Sequence, residues 1–328
     1  MATKKKRCGV AEEIADLARC AASPTTAESR EQLRKALVRG EALVVARAGE
    51  IVREHLIDGL SRELKDAFQR FLRDPVKTDP VCHAKLAVLE ALDAQEDRDD
   101  APFLAAARHV QLEPAWGPPV DTAIGVRARG ILALARLGYT DLPLLAGELL
   151  ADAAIPVRQA AADAIANFGL RGAAGPLILK LRIGDDEPLV TLSCLTALLT
   201  IAPEWGLAAA RPMLLGAEAT AREIGALALG QSSRDDALTL LLEALEVSGL
   251  SADRAVLFTG IGLHRSDRAR SVLIEVVADG SPGDARAAIA ALAAARFEPG
   301  LEARVRDAAR RNGRADLTDA LGLAFPSM

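Results

Sequence analysis

Side chains equipped for chemistry are few in this sequence, and they are scattered. The four histidines, His55, His83, His109 and His264, stand far apart, and Glu54-His55 is the one place where a histidine adjoins a glutamate. A metal centre built from His-Glu pairs or HExxH needs ligands recurring on one helical face, so no metal is expected here. Cys8, Cys20, Cys82 and Cys194 contain no CxxC pair, which leaves neither a zinc ribbon nor a redox dithiol. GxSxG and the phosphate loop GxxxxGKS/T are also missing. Gly260-Ile261-Gly262 is half of a dinucleotide fingerprint, but His264-Arg265 stands where the third glycine belongs and no strand precedes it, so a helix end is expected. No catalytic residue and no cofactor are assigned, and binding is favoured over catalysis.

Two features gather polar side chains. The first is the segment Leu112-Glu113-Pro114-Ala115-Trp116-Gly117-Pro118-Pro119-Val120-Asp121, ten residues inserted at one turn and stiffened by three prolines. His109, Gln111 and Glu113 precede or enter it, while Asp121, Arg127 and Arg129 lead out. These six residues with Trp116 form the candidate partner-binding set, because an aromatic held between polar groups of both signs suits a binding rim. The competing expectation is that Trp116 caps the apolar end of a helical hairpin. The second feature is an arginine column, Arg127, Arg158, Arg222, Arg254 and Arg286, recurring once per unit. It reads as a structural ladder, with Arg158 paired to Asp152 six residues earlier; an acidic ligand is the alternative.

The column exposes the elements that position these residues. Val126-Arg127, Val157-Arg158, Val190-Thr191, Ala221-Arg222, Asp253-Arg254 and Ala285-Arg286 recur at steps of 31 to 33 residues. Each marker opens a helix-period stretch that is expected to stop near a glycine, as at Gly169 and Gly230, and a second helix follows, at 142–151, 174–183, 235–246 and 268–278. Upstream, Val81-Cys82-His83 opens a similar helix, but Cys82 and Arg127 are 45 residues apart; the surplus falls in the acidic connection 95–100, expected to be solvated, and in the Trp116 insert, which follows a helix at 102–112. Earlier segments at 10–21, 27–46, 48–57 and 60–73 also read as helices. No alternating strand pattern competes, so the class is all-α with no sheet. Short helices with one Ala/Leu stripe bury it only by stacking, which predicts an α-solenoid.

These markers resemble the HEAT-repeat family, in its short bacterial form of the phycobilin-lyase type. The likeness rests on Asp152-Ala-Ala-Ile-Pro-Val-Arg158, with Asp121 six residues before Arg127 and Asp185 six before Thr191, and it covers residues 78–313. In later units Gly216 and Ser248 stand where that aspartate is expected. The resemblance implies a right-handed α-solenoid of HEAT-like hairpins, with Asp and Arg linking neighbouring turns and the second helices lining a concave face. The expected organisation is irregular capping helices over 1–77, repeats over 78–313, and a closing helix and tail over 314–328.

Charge narrows the partner. The chain has 40 basic and 45 acidic side chains, net −5, and the excess of acid lies in residues 76–328, which disfavours nucleic acid. The basic run Lys4 to Arg7 is expected to be a solvated terminus. With 50% hydrophobic residues but no uninterrupted apolar span, no membrane insertion is expected and a cytoplasmic location follows. Aromatics make up 3% of the chain, too few for a base-stacking groove. The function expected is a non-enzymatic scaffold or adaptor for a protein or peptide. The family likeness offers a bilin-lyase-like chromophore handler or a HEAT-like DNA glycosylase as alternatives.

Overall fold

In the computed structural model the described residues are 2–24, 26–249 and 251–326, with the side chains of 2–8 and 251–252 excepted. The basic run Lys4 to Arg7 and Cys8 therefore lie outside the described side chains. The chain divides into two compact units, residues 1–168 and 169–328.

The first unit contains α1 (Ala2–Ala22), α2 (Ala27–Arg39), α3 (Ala42–His55), α4 (Ser61–Phe71), α5 (Pro75–Thr78), α6 (His83–Ala94) and α7 (Ala101–Ala107). A two-stranded ladder follows, β1 (Leu112–Glu113) against β2 (Val120–Asp121), and then α8 (Ile124–Leu137), α9 (Leu142–Leu149) and α10 (Ile155–Phe168). Helices α3, α6, α8 and α10 pack in sequence as one row, while α2, α4 and α7 form a second row against them. Burial drives this stacking, because a stripe such as Val44, Val45, Ala48, Ile51 and Val52 has no other apolar partner.

The second unit comprises α11 (Ala174–Ile183), α12 (Pro188–Ile201), α13 (Pro203–Leu215), α14 (Ala219–Gln231), α15 (Asp235–Val247), α16 (Ser251–Leu263), α17 (Asp267–Asp279), α18 (Pro282–Leu292), α19 (Leu301–Asn312) and α20 (Leu317–Ala324). Here α12, α14, α16, α18 and α20 form the continuous row, and one apolar core runs from Leu195 to Phe325. Each unit is an α-solenoid of stacked helical hairpins, and the fold is all-α apart from the two-residue strands.

Several local expectations change. The helix expected over 27–46 breaks at Gly40, where a Cβ would stand 2.4 Å from the Ala36 carbonyl oxygen. The helix expected over 102–112 ends at Ala107, because the chain enters the strand ladder instead. Helix α14 ends at Gln231, one residue past Gly230, and α16 at Leu263, one past Gly260-Ile261-Gly262, so both stop near the expected glycines, but the glycines themselves lie within the last turn of each helix. They permit close packing, since a Cβ on Gly230 would lie 2.3 Å from the Gly260 oxygen, and one on Gly262 2.6 Å from that of Ala291. Helix α8, by contrast, does end at a glycine: Gly138 adopts φ 69° and returns its N–H to the preceding turn.

Candidate functional site

The inserted segment becomes a hairpin because its ends pair. Leu112 lies opposite Asp121 and Glu113 opposite Val120, and the Thr122 amide donates to the Gln111 carbonyl at 2.9 Å. Residues 114–119 close the loop, and Pro114, Pro118 and Pro119 reduce the entropy lost in ordering it. Trp116 stands in that loop fully exposed. The capping expectation is therefore wrong: no hairpin end covers the ring, because the strand pairing carries it away from the helices. Val81, Val110, Leu112 and Val120 are exposed beside the hairpin or its base.

Beneath the hairpin lies a polar network. Asp79 and Lys85 are both wholly buried and pair at 2.9 Å. The Asp79 carboxylate also accepts the Ala84 and Lys85 amides at 3.0 Å each, fixing the start of α6. Gln111 is 1% exposed, and its amide donates to the Asp79 carbonyl at 3.0 Å and to Glu113 at 2.7 Å. Glu113 Oε1 additionally accepts the Val81 amide and the Thr122 hydroxyl, each at 2.7 Å. The turn so held is unusual, for Val81 and Cys82 both have left-handed backbones, φ 63° and 60°. Such conformations cost on the order of 1–3 kcal/mol each for residues with a Cβ.

Asp121 accepts the Gln111 and Ala123 amides and pairs with Arg127 at 2.7 Å. Arg127, 3% exposed, also grips Asp152 with two bonds, 2.9 and 3.1 Å, and donates to the His109 carbonyl at 3.0 Å. His109 Nε2 lies 3.3 Å from Gln111 Oε1. Burial lowers the His109 pKa despite the raising contact with Gln111, which favours the neutral ring. Burial raises the Cys82 thiol, outweighing nearby Lys85, so it is a poor nucleophile at neutral pH. For Asp121 and Glu113 burial acts upward, yet hydrogen bonds and neighbouring cations outweigh it and hold both carboxyls below their ordinary values. This chemistry holds a shape.

The seven expected partner-binding residues thus separate. Trp116 is presented; His109, Gln111, Glu113, Asp121 and Arg127 build the base; Gln111 and Arg127 are interior and offer no rim surface. Arg129 belongs elsewhere, in an ion network with Glu90 and Asp93 that also takes in Arg53 and Arg136. Asp79 and Lys85 were missed from the sequence, although their six-residue spacing matches that of Asp121 and Arg127. Lysine in place of arginine hid the signal.

The ladder is real but differently wired. Asp152 is bound by Arg127, whereas Arg158 donates to the backbone carbonyls of Asp152 and Ala153. The expected Arg158–Asp152 carboxylate pair is replaced because the carboxylate faces the preceding repeat. Arg222 and Arg254 likewise reach the carbonyls of Gly216 and Ser248, six residues back. Forward partners are Asp253 for Arg222, Asp284 for Arg254 and Asp316 for Arg286, at 2.5, 3.0 and 3.0 Å. The aspartate is thus supplied from the next unit rather than lost. Asp185 pairs with Lys180 at 2.7 Å. The acidic connection is not merely solvated: Asp97 and Asp99 hold Lys65, and Asp99 accepts the Ala101 amide at the start of α7.

A cavity of about 290 Å³ in the second unit is lined by Thr196, Thr200, Gln231, Ser232, Ser233 and Arg234 among others. Arg234 is already engaged there by both oxygens of Asp236. Among the described residues no group of three or more His, Cys, Asp or Glu is placed to hold a metal, and no helix is long and apolar enough to cross a membrane.

The fold and site define an all-α helical-repeat protein carrying one projecting hairpin. No protein-family description matches the chain, and no curated protein matches it in sequence. Among solved structures, human deoxyhypusine hydroxylase in complex with glycerol aligns over 80% of this chain and 94% of its own, at 17% identity and a TM-score of 0.32. A likeness that slight assigns nothing to this chain.

Proposed function

We propose that this chain is a non-enzymatic adaptor of the HEAT-repeat kind, and that it binds a protein partner through the hairpin 112–121, with Trp116 as the anchoring side chain. The observation that carries this reading is a fully exposed tryptophan on a proline-stiffened loop whose base is bonded into the interior. Exposing a ring of that size to water forgoes the burial that would stabilise the fold, and tryptophan is among the residues most enriched at binding hot spots. The polar groups beneath it already bond one another, the thiol is protonated and the imidazole is neutral, so the arrangement favours presentation over turnover.

The test compares wild type with Trp116→Ala in quantitative affinity capture from native lysate, alongside thermal unfolding. The expected result is an unchanged melting temperature and the loss of a defined set of captured proteins. Retention of the same set by the variant sinks the reading.

A further inference from the structure

The base of the hairpin converges on one atom. Glu113 Oε1 accepts the Val81 amide from the turn before α6, the Gln111 amide group from the entry to β1, and the Thr122 hydroxyl from the exit of β2, each at 2.7 Å. Those three donors belong to the three chain segments that meet under the loop. One of them, Val81, is β-branched and held with φ 63°. Such a backbone persists only where surrounding bonds over-determine it, and this carboxylate supplies the bond to the Val81 amide.

We propose that Glu113 is a positioning residue that acts as a latch: its ionised carboxylate clamps the hairpin to the turn 80–82, and neutralising it releases the hairpin while the helical stack stays folded. The proposal rests on reading the hairpin as the docking element, and it adds how that element is fixed and freed.

The charged and titratable groups around the latch are Lys85 of α6, Asp79 and Cys82 of the turn before it, His109 between α7 and β1, Asp121 of β2, and Arg127 of α8. Lys85 already pairs with Asp79 and Arg127 with Asp121, so neither cation substitutes for the bonds that Glu113 accepts. Burial raises the Glu113 carboxyl, but Thr122, Val81, Gln111 and the Lys85 charge together bring it below the ordinary glutamate range. The sign follows: the clamp is complete above that range and is lost as pH falls through the depressed value. Release therefore belongs to acid conditions, and removing the carboxylate should mimic it at neutral pH.

The test needs no partner. In a Trp205→Phe background Trp116 is the sole tryptophan, and its fluorescence anisotropy reports hairpin mobility. Amide exchange at Val81, whose N–H donates to Glu113, reports the clamp directly, and exchange at Thr122, whose N–H donates to the Gln111 carbonyl, reports the strand pairing that the clamp holds. Glu113→Ala should lower the anisotropy at neutral pH and speed those two amides on the order of tenfold, with far-UV circular dichroism unchanged. The wild type should show an anisotropy step on acidification while its helix signal persists, and Glu113→Gln should show no such step. The latch is overturned if Glu113→Ala matches wild type in both readouts, if Glu113→Gln keeps the acid step, or if the wild-type step coincides with loss of helix. Those outcomes leave the Trp116 capture experiment unaffected, so failure of the latch and failure of the docking reading are distinguishable.

Discussion

Arg127 is the residue on which the first unit's polar core turns. Its guanidinium joins Asp121, Asp152 and the His109 carbonyl while almost wholly enclosed. Removing it leaves two carboxylates desolvated without their cation, a loss that typically costs about 3–5 kcal/mol. Arg127→Ala should therefore lower stability by that amount in urea unfolding, and Arg127→Lys should recover only part, since one ammonium cannot reproduce the forked bonds. The Asp121 carboxyl adds a pH signature. Its folded pKa lies below the ordinary aspartate value, so its contribution is present above the unfolded value and lost as pH falls through the folded one. Urea midpoints of wild type and Asp121→Asn should differ at neutral pH and converge below the ordinary aspartate range. A gap that persists unchanged into strong acid would show that the Asp121 charge is not what stabilises the base.

The helices carry a different kind of specification. Gly230 and Gly260 face one another where α14 crosses α16, so an added methyl meets backbone rather than a yielding side chain. Gly230→Ala should destabilise the second unit by about 1–3 kcal/mol despite alanine's better helix propensity, measured as a reduced urea midpoint; a gain in stability would mean the crossing is looser than described. The contrast shows what a sequence can convey at this scale. Helix positions in the second unit were legible almost to the residue, because an apolar stripe of period 3.6 is a local property: 174–183 was read where α11 lies. Helix α14 does stop beside Gly230, at Gln231, but that the same glycine is also required by the backbone of a neighbouring helix was hidden, because a close approach leaves no mark within one element. The forward partners of the ladder were hidden for the same reason. Asp253, Asp284 and Asp316 pair with arginines 30 or 31 residues earlier, a relation set by the stacking offset and invisible within one repeat. The hairpin's location was legible from its prolines and its length. Its direction was not, because a buried cap and a projecting loop both call for an aromatic, and only the pairing of residues 112–113 with 120–121 decides between them.

At the scale of the whole molecule, the two compact units have separate consequences. The core from Leu195 to Phe325 lies wholly within the second unit, so residues 169–328 expressed alone should give a helical circular dichroism spectrum and a cooperative melt. A random-coil spectrum would show that this stack depends on the first unit. The hairpin, the buried Asp79–Lys85 pair and the Glu113 bonds all belong to residues 1–168, which locates the proposed docking function in one unit. The second unit's exposed Trp205, on α13, supplies an internal control for surface tryptophans in general. Docking through Trp116 can be read by replacing it with a photo-cross-linking phenylalanine analogue in the native cell and irradiating, beside the same replacement at Trp205. Position 116 should give a discrete cross-linked protein adduct and position 205 none of that mass; no adduct at 116, or the same adducts from both positions, would show that the hairpin is not a docking element.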